Sequence, residues 1–227
     1  MKKYILLVAI CVFATSLYAQ KKETRKVGDF SYVSMGISGD LTIRQGDKNE
    51  VILQGDEETL VNIETYLSGE KLKIRSKSSS WFNNIDKIKV FITIKEFKGI
   101  SVSGSGDVKS EGTLKGANVD LGVSGSGDMD LTLQATDIDC SISGSGSISL
   151  KGKGKTGSLT ISGSGRMDAA DYEVETLSIR ISGSGGAYVF ATKELDSRIS
   201  GSGTVRYKGD PDKVSNHSSG SGRLRKM

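Results

Sequence analysis

The tetrapeptide Ser-Gly-Ser-Gly occurs seven times in this chain, starting at residues 103, 124, 143, 162, 182, 200 and 219. The steps between starts are 21, 19, 19, 20, 18 and 19 residues. Composition alone would class such a segment as a flexible linker, but a linker has no reason to keep a period. Self-similarity near 19 residues is the mark of a solenoid, in which each repeat is one supersecondary unit buried only by its neighbours.

The flanks of the tetrapeptide carry the same message. Alternating apolar residues precede it: Val119, Leu121, Val123; Ile138, Cys140, Ile142; Leu159, Ile161; Leu177, Ile179, Ile181; Leu195, Ile199. A single apolar position follows it at Val108, Met129, Ile148, Met167, Ala187, Val205 and Leu224. Side chains alternate faces along a strand, so parity can be carried through the motif. Extended geometry would turn the glycines inward and the serines outward. The expected inward corner glycines are Gly104, Gly106, Gly125, Gly127, Gly144, Gly146, Gly163, Gly165, Gly183, Gly185, Gly201, Gly203, Gly220 and Gly222. Such a motif is a tight corner or thin wall, where glycine alone fits against the rung beneath. About 19 residues per turn, with two or three strands each, suits an all-β parallel β-helix with coils about 4.8 Å apart. The polar residues Ser218, Arg223, Arg225 and Lys226 of the last repeat suit an end cap.

Residues 27–100 read differently, as a strand-rich N-terminal lobe leading into a β-helix over 101–227. Strands of period two run through Asp40–Arg44, Val51–Leu53, Lys71–Arg75 and Lys87–Ile94. Gly46-Asp47 and Ser68-Gly69-Glu70 are turn signals between them. Asp56-Glu57-Glu58-Thr59-Leu60-Val61 reads as one short helical turn opened by an Asp cap. Residues 1–19 have the layout of a cleaved secretory signal: Lys2 and Lys3, an apolar run from Ile5 to Phe13, then Ala19. Cys11 lies inside that run behind bulky Ile10, which argues against a lipoprotein site. The expected location is therefore the periplasm, cell surface or exterior.

Composition removes several function classes. Without residues 1–19 the chain carries 29 Lys and Arg against 27 Asp and Glu, a balance that implies no nucleic-acid surface. No later apolar stretch approaches the roughly 20 residues of a membrane helix, so no transmembrane segment is expected in the mature chain. Cys140 would be the sole mature cysteine, which excludes an internal disulfide. Its apolar alternating neighbours make it a small buried hydrophobe rather than a reactive thiol.

A catalytic reading finds little to stand on. His217 is the one histidine, set in polar Ser215-Asn216-His217-Ser218 with no nucleophile motif beside it. A nucleophile elbow needs glycines two residues either side of its serine, and here they flank it directly. Asp107 and Asp128 follow the tetrapeptide and could stack around one Ca²⁺, but the other five equivalents are Ser147, Arg166, Gly186, Thr204 and Arg223. That is no carboxylate ladder, and the nine-residue period of a calcium roll is absent. A polysaccharide lyase or glycosidase would need paired carboxylates. Asp128, Asp130, Asp137 and Asp139 are the candidates, though their alternation with apolar residues is that of any solvated β face. Lys151-Gly152-Lys153-Gly154-Lys155 is a basic turn rather than a phosphate cradle. No metal and no cofactor is expected. Trp81 and Phe82, in a polar stretch between two strands, are the candidate ligand-binding residues: they either anchor a partner or sugar ring, or fold back onto the first lobe. Tyr172, Tyr188 and Tyr207 fall at or after the corner in successive coils, where core or rim packing is the default.

The repeated Ser-Gly-Ser-Gly-Asp of Ser103–Asp107 and Ser124–Asp128 resembles the bacterial family of auto-transporter adhesins with a head GIN domain. Ile37-Ser38-Gly39-Asp40-Leu41-Thr42-Ile43, Gln45-Gly46-Asp47 and Gly69-Glu70-Lys71-Leu72-Lys73-Ile74 fit the same pattern. The resemblance implies a right-handed β-helical, two-lobed exported protein and carries over no catalytic residues. An autotransporter also has a translocating barrel, for which these residues show no pattern. The resulting expectation is a non-enzymatic adhesin-like surface protein. Its partners would be a cell-surface, glycan or protein ligand, or a second copy of the chain. A carbohydrate-active β-helix enzyme and a structural envelope component are the alternatives.

Overall fold

The computed structural model describes residues 20–77 and 88–227. The residues read as an export signal and the Trp81–Phe82 stretch lie outside them. Strand β1 (Lys21–Arg25) is followed by β2 (Tyr32–Gly36) and β3 (Gly39–Gln45), then by β4 (Glu50–Gly55) and a helix α1 (Glu57–Asn62). The Asp56 carboxylate caps this helix, accepting from the Thr59 backbone N–H at 2.8 Å and from its hydroxyl at 2.5 Å. Leu60 anchors the helix in the core, and the chain turns extended at Ile63. Strands β5 (Ile63–Ser68), β6 (Lys71–Ser76) and β7 (Ile88–Ile94) complete this part.

The coils of the stack do not follow chain order here. β2 pairs in parallel with β6 on one side and with β8 (Gly99–Gly104) on the other. β3 is likewise held between β7 and β9 (Asp107–Gly125). The chain thus lays down one coil, then a second on its far side, and returns to build on the first. β4 and β1 extend the β7 edge as antiparallel strands, and β5 pairs antiparallel with β6. One ladder runs unbroken from this part into the repeats.

From β8 onward every Ser-Gly-Ser-Gly ends one strand and precedes the next. The strands are β10 (Asp128–Gly144), β11 (Ser147–Lys153), β12 (Thr156–Gly163), β13 (Arg166–Gly183), β14 (Gly186–Gly201), β15 (Thr204–Lys208), β16 (Lys213–Gly220) and β17 (Arg223–Lys226). All pairings among them are parallel, and the motif stays in register from Ser103 through Ser124, Ser143, Ser162, Ser182 and Ser200 to Ser219. The fold is the parallel β-helix that the period demands. Its flanking apolar positions form the core: each is buried from Val108 to Val205, and Leu224 is partly buried.

The corner itself departs from simple parity. The first glycine of each motif takes a positive φ, between +108° and +119° from Gly104 to Gly220, and is not buried. The second glycine has ordinary φ and is buried from Gly106 to Gly203. Extended geometry breaks at the first glycine, so only the second points inward. Backbone bonds cross between coils at both. The carbonyl of Gly125 accepts from the N–H groups of Ser145 and Gly146, at 2.9 and 3.0 Å, and that of Gly127 accepts from Ser147 at 3.2 Å. A Cβ at Gly144 would lie 2.5 Å from the Gly125 oxygen, and one at Gly146 would lie 2.3 Å from the Gly127 oxygen. Glycine is required because the coil below leaves no room for a side chain.

The last coil is an edge. β16 and β17 each pair on one side only among the described residues, and every residue of β16 is exposed. The inward column Leu121, Cys140, Leu159, Ile179 ends in Ser197 and Asn216. Polar inward residues and lysines at the terminus disfavour further strand addition.

Candidate functional site

The outward surface of the stack consists of columns, one residue per coil, that follow from the parallel register. At the corner, the two serines of each motif, from Ser103 and Ser105 to Ser219 and Ser221, are exposed. The first serines form one hydroxyl column. The second serines flank it, each from Ser126 to Ser202 tethered by its N–H to the first-glycine carbonyl one coil below, at 2.9 Å. Together they edge the molecule with hydroxyls at a spacing of about 4.8 Å.

Beyond the corner, Asp107 pairs with Asp128, and Asp40 of β3 pairs with Asp107. The sequence reading missed Asp40 as the third member, although Ser38-Gly39-Asp40 repeats the Ser-Gly-Asp that ends the later motif. The Asp128 carboxylate accepts from the Ser147 hydroxyl at 2.6 Å and from its N–H at 3.1 Å. Among the described residues no group of three His, Cys, Asp or Glu side chains is arranged to hold a metal ion. Asp130, Asp137 and Asp139 are exposed on outward columns.

His217 is exposed on β16, in the outward column that holds Arg198 one coil below. Cys140 is buried, and burial pushes its thiol well above the usual range, with the nearby Asp139 and Asp120 carboxylates adding to the effect. Tyr172 is buried in the same region, and its phenol is likewise pushed up by burial. Tyr188 lies half-buried under Arg206, 5.7 Å from ring centre to guanidinium, and Phe190 lies under Lys208 at 5.2 Å. Tyr207 packs against the core from the rim.

Two shallow grooves lie on the N-terminal coils. One, of about 260 Å³, is lined by Asp29, Phe30, Ser31, Asn49, Glu70 and Glu96. The Lys98 ammonium holds the Glu70 carboxyl below its usual range, with a further bond from the Ser31 hydroxyl. The other, of about 200 Å³, has Ile52 and Phe91 on its floor and Lys22, Arg44, Glu50 and Glu111 on its walls. Neither was legible in the sequence: the first gathers loop residues that meet only once the coils stack, and the second forms where antiparallel β1 and β4 join β7. A small apolar cavity near Cys140, Met167, Tyr172 and Leu177 holds about 20 Å³.

Comparison with known proteins places this geometry. The family model described as "Putative auto-transporter adhesin, head GIN domain" matches residues 29–211, and the chain belongs to that family. A solved structure of a "putative adhesin" from Bacteroides fragilis superposes with a TM-score of 0.88 at 25% identity, covering 92% of this chain and 97% of that one. A "putative adhesin" from Parabacteroides distasonis gives 0.75 at 26% identity, over 92% and 97%. A "putative lipid binding protein" from the same species gives 0.69 at 26%, over 92% and 96%. No curated protein matches the chain.

Proposed function

We propose that this member of the head GIN family is an exported, non-catalytic adhesin-like protein, which presents the outward columns of its β-helix to a ligand on a cell surface. The carrying observation is the separation of roles across the sheet. Inward positions are apolar or glycine until the last two coils, where Ser197 and Asn216 enter one column, while the corner serines outside are polar and aligned in register over seven motifs. Flat polar arrays of this kind suit an extended ligand better than a small one, and the two grooves among the described residues, at about 260 and 200 Å³, fall below the 300–1,000 Å³ usual for small-molecule sites. The family and the adhesins named among its structures support the same reading.

The lipid-binding description of one relative suggests a lipid ligand as a second reading. The cavity of about 20 Å³ inside this β-helix has room for about one water molecule, far short of an acyl chain. That cavity therefore offers no support for a lipid held inside the coils.

The test is binding of the mature protein to immobilised glycans, cell-envelope fractions and host-type matrix proteins, with oligomeric state measured alongside. Saturable binding to one class is expected. No binding to any of them, with a strictly monomeric protein, would refute the proposal. Release of reducing ends or unsaturated products from acidic polysaccharides would replace it with an enzymatic one.

A further inference from the structure

The near-neutral average charge conceals a division along the stack. Residues 99–176 carry six Lys and Arg against eleven Asp and Glu, whereas residues 177–227 carry nine against four. The middle coils are therefore acidic and the C-terminal coils basic. Several of the basic groups are locally paired: Lys213 with Glu194 at 2.6 Å, Lys193 with Glu175 at 2.6 Å, and Lys226 with Asp210. Among the described residues Arg180, Arg223 and Arg225 have no carboxylate partner.

Register places part of this basic charge in a line. The outward column two residues before the corner reads Ser141, Thr160, Arg180, Arg198, His217. It turns from hydroxyl to arginine and histidine where the coils turn basic. All three terminal members are exposed, in successive coils about 4.8 Å apart. Arg198 pairs with Asp196 of its own strand, at 3.4 Å. The corner hydroxyls of Ser182, Ser200 and Ser219 run along one side of this column, and Ser178, Asp196 and Ser215 lie on the other. Guanidinium groups are forked donors matched to carboxylate and sulfate, and hydroxyl columns beside them match the hydroxyls of sugar rings.

We infer that the Arg180–Arg198–His217 column is a binding site for an acidic glycan, a linear saccharide bearing carboxylate or sulfate groups that lies across the last three coils. A single line of two guanidiniums and an imidazole, with hydroxyls along its corner side and one carboxylate, Asp196, already held by Arg198, fits a chain-like polyanion. Nucleic acid would call for aromatic stacking platforms in the column, and it has none. This inference rests on the adhesin-like reading and names its ligand class.

The test uses the mature protein and a size-defined oligouronate, beside a sulfated oligosaccharide and the carboxyl-reduced oligouronate of equal length. Calorimetry at low salt should show binding of the first two and none of the neutral one, with affinity falling as salt screens the charges. Arg180→Gln and Arg198→Gln should each weaken binding about tenfold, the loss of one charged hydrogen bond. Lys109→Gln, on the acidic middle coils, should change nothing. Both arginines are exposed, and an unchanged urea midpoint will show that the variants fold. Equal binding of the neutral oligosaccharide, or full affinity in both arginine variants, overturns the inference. Salt-sensitive self-association that the same variants abolish would also overturn it, by showing that the acidic middle of a second copy occupies the column. Envelope binding indifferent to carboxyl reduction would sink this inference and leave the adhesin-like reading standing. Absence of all binding would end both.

Discussion

Three alanine substitutions at equivalent-looking glycines separate the two reasons for glycine at the corner. At Gly104 the backbone has φ +108°, yet an added Cβ meets nothing within 4 Å, because that motif opens the series. Gly104→Ala should therefore pay only for its backbone conformation, about 1–2 kcal/mol. At Gly146 φ is ordinary, but the Cβ would sit 2.3 Å from the Gly127 oxygen and 2.6 Å from Val123 Cγ1. That oxygen accepts the bond from Ser147, so relieving the clash means moving a hydrogen-bonded rung. Overpacking of about 1–3 kcal/mol plus about 1 kcal/mol for a weakened bond gives about 3 kcal/mol. Gly144 combines both, with φ +116° and the Gly125 oxygen 2.5 Å away, and should cost about 5 kcal/mol. Stiffening of the unfolded chain offsets each by a similar amount, up to about 1 kcal/mol, and leaves the order intact. Urea midpoints at constant m-value measure the series. If Gly104→Ala proves as damaging as Gly144→Ala, stacking is not what fixes the corner. If Gly146→Ala leaves the midpoint unchanged, the thin-wall explanation fails.

Other expectations follow from single contacts. Asp56→Ala removes the cap of α1 and should cost about 1 kcal/mol in urea unfolding. The bonds from the Thr59 hydroxyl and N–H hold the Asp56 carboxyl below its usual range, so its contribution is present above the unfolded value of about 3.9 and fades as pH falls through the lower folded one. The variant should therefore show a flatter acid limb in a plot of midpoint against pH. Cys140 should resist a thiol reagent in the native state and react at the rate of unfolding, since burial excludes both reagent and thiolate; fast native labelling would contradict its placement. Ser197 is fully buried with no partner for its hydroxyl among the described residues, so Ser197→Ala should be neutral or stabilising by up to about 1 kcal/mol in the same urea assay.

Much of this fold was legible because a solenoid repeats its instructions. Val123, Ile142, Ile161, Ile181 and Ile199 occupy one inward column, and period and parity alone put them there. Asp56 announced its helix. The order of the first coils was not legible, since parallel pairing of β2 with both β6 and β8 joins segments whose separation no local periodicity records. Nor could parity distinguish the two glycines of a motif. Gly125 and Gly127 are chemically identical in sequence, and only the carbonyls of Gly104 and Gly106 beneath them, at 2.6 and 2.5 Å from an added Cβ, show what each must avoid. Trp81 and Phe82, the residues singled out for ligand contact, lie outside the described residues. The basic column was recoverable from the sequence by counting charge coil by coil rather than over the whole chain.

This division has a consequence for where recognition can reside. Inward columns and corners are fixed by packing: a change there is opposed by the coil below, as the glycine series measures. An outward residue such as Thr160, Arg180 or Arg198 is opposed only by weak neighbours on an open face, where exposed charge pairs contribute about 0–1 kcal/mol. The same backbone position can therefore hold serine in one coil, threonine in the next and arginine beyond, at little cost in stability. On the proposed reading, specificity is written in columns rather than in a pocket, and the sign of a column can change along the axis without changing the fold. The column that runs Asp40, Asp107, Asp128, Ser147 and Arg166 makes that change within one molecule.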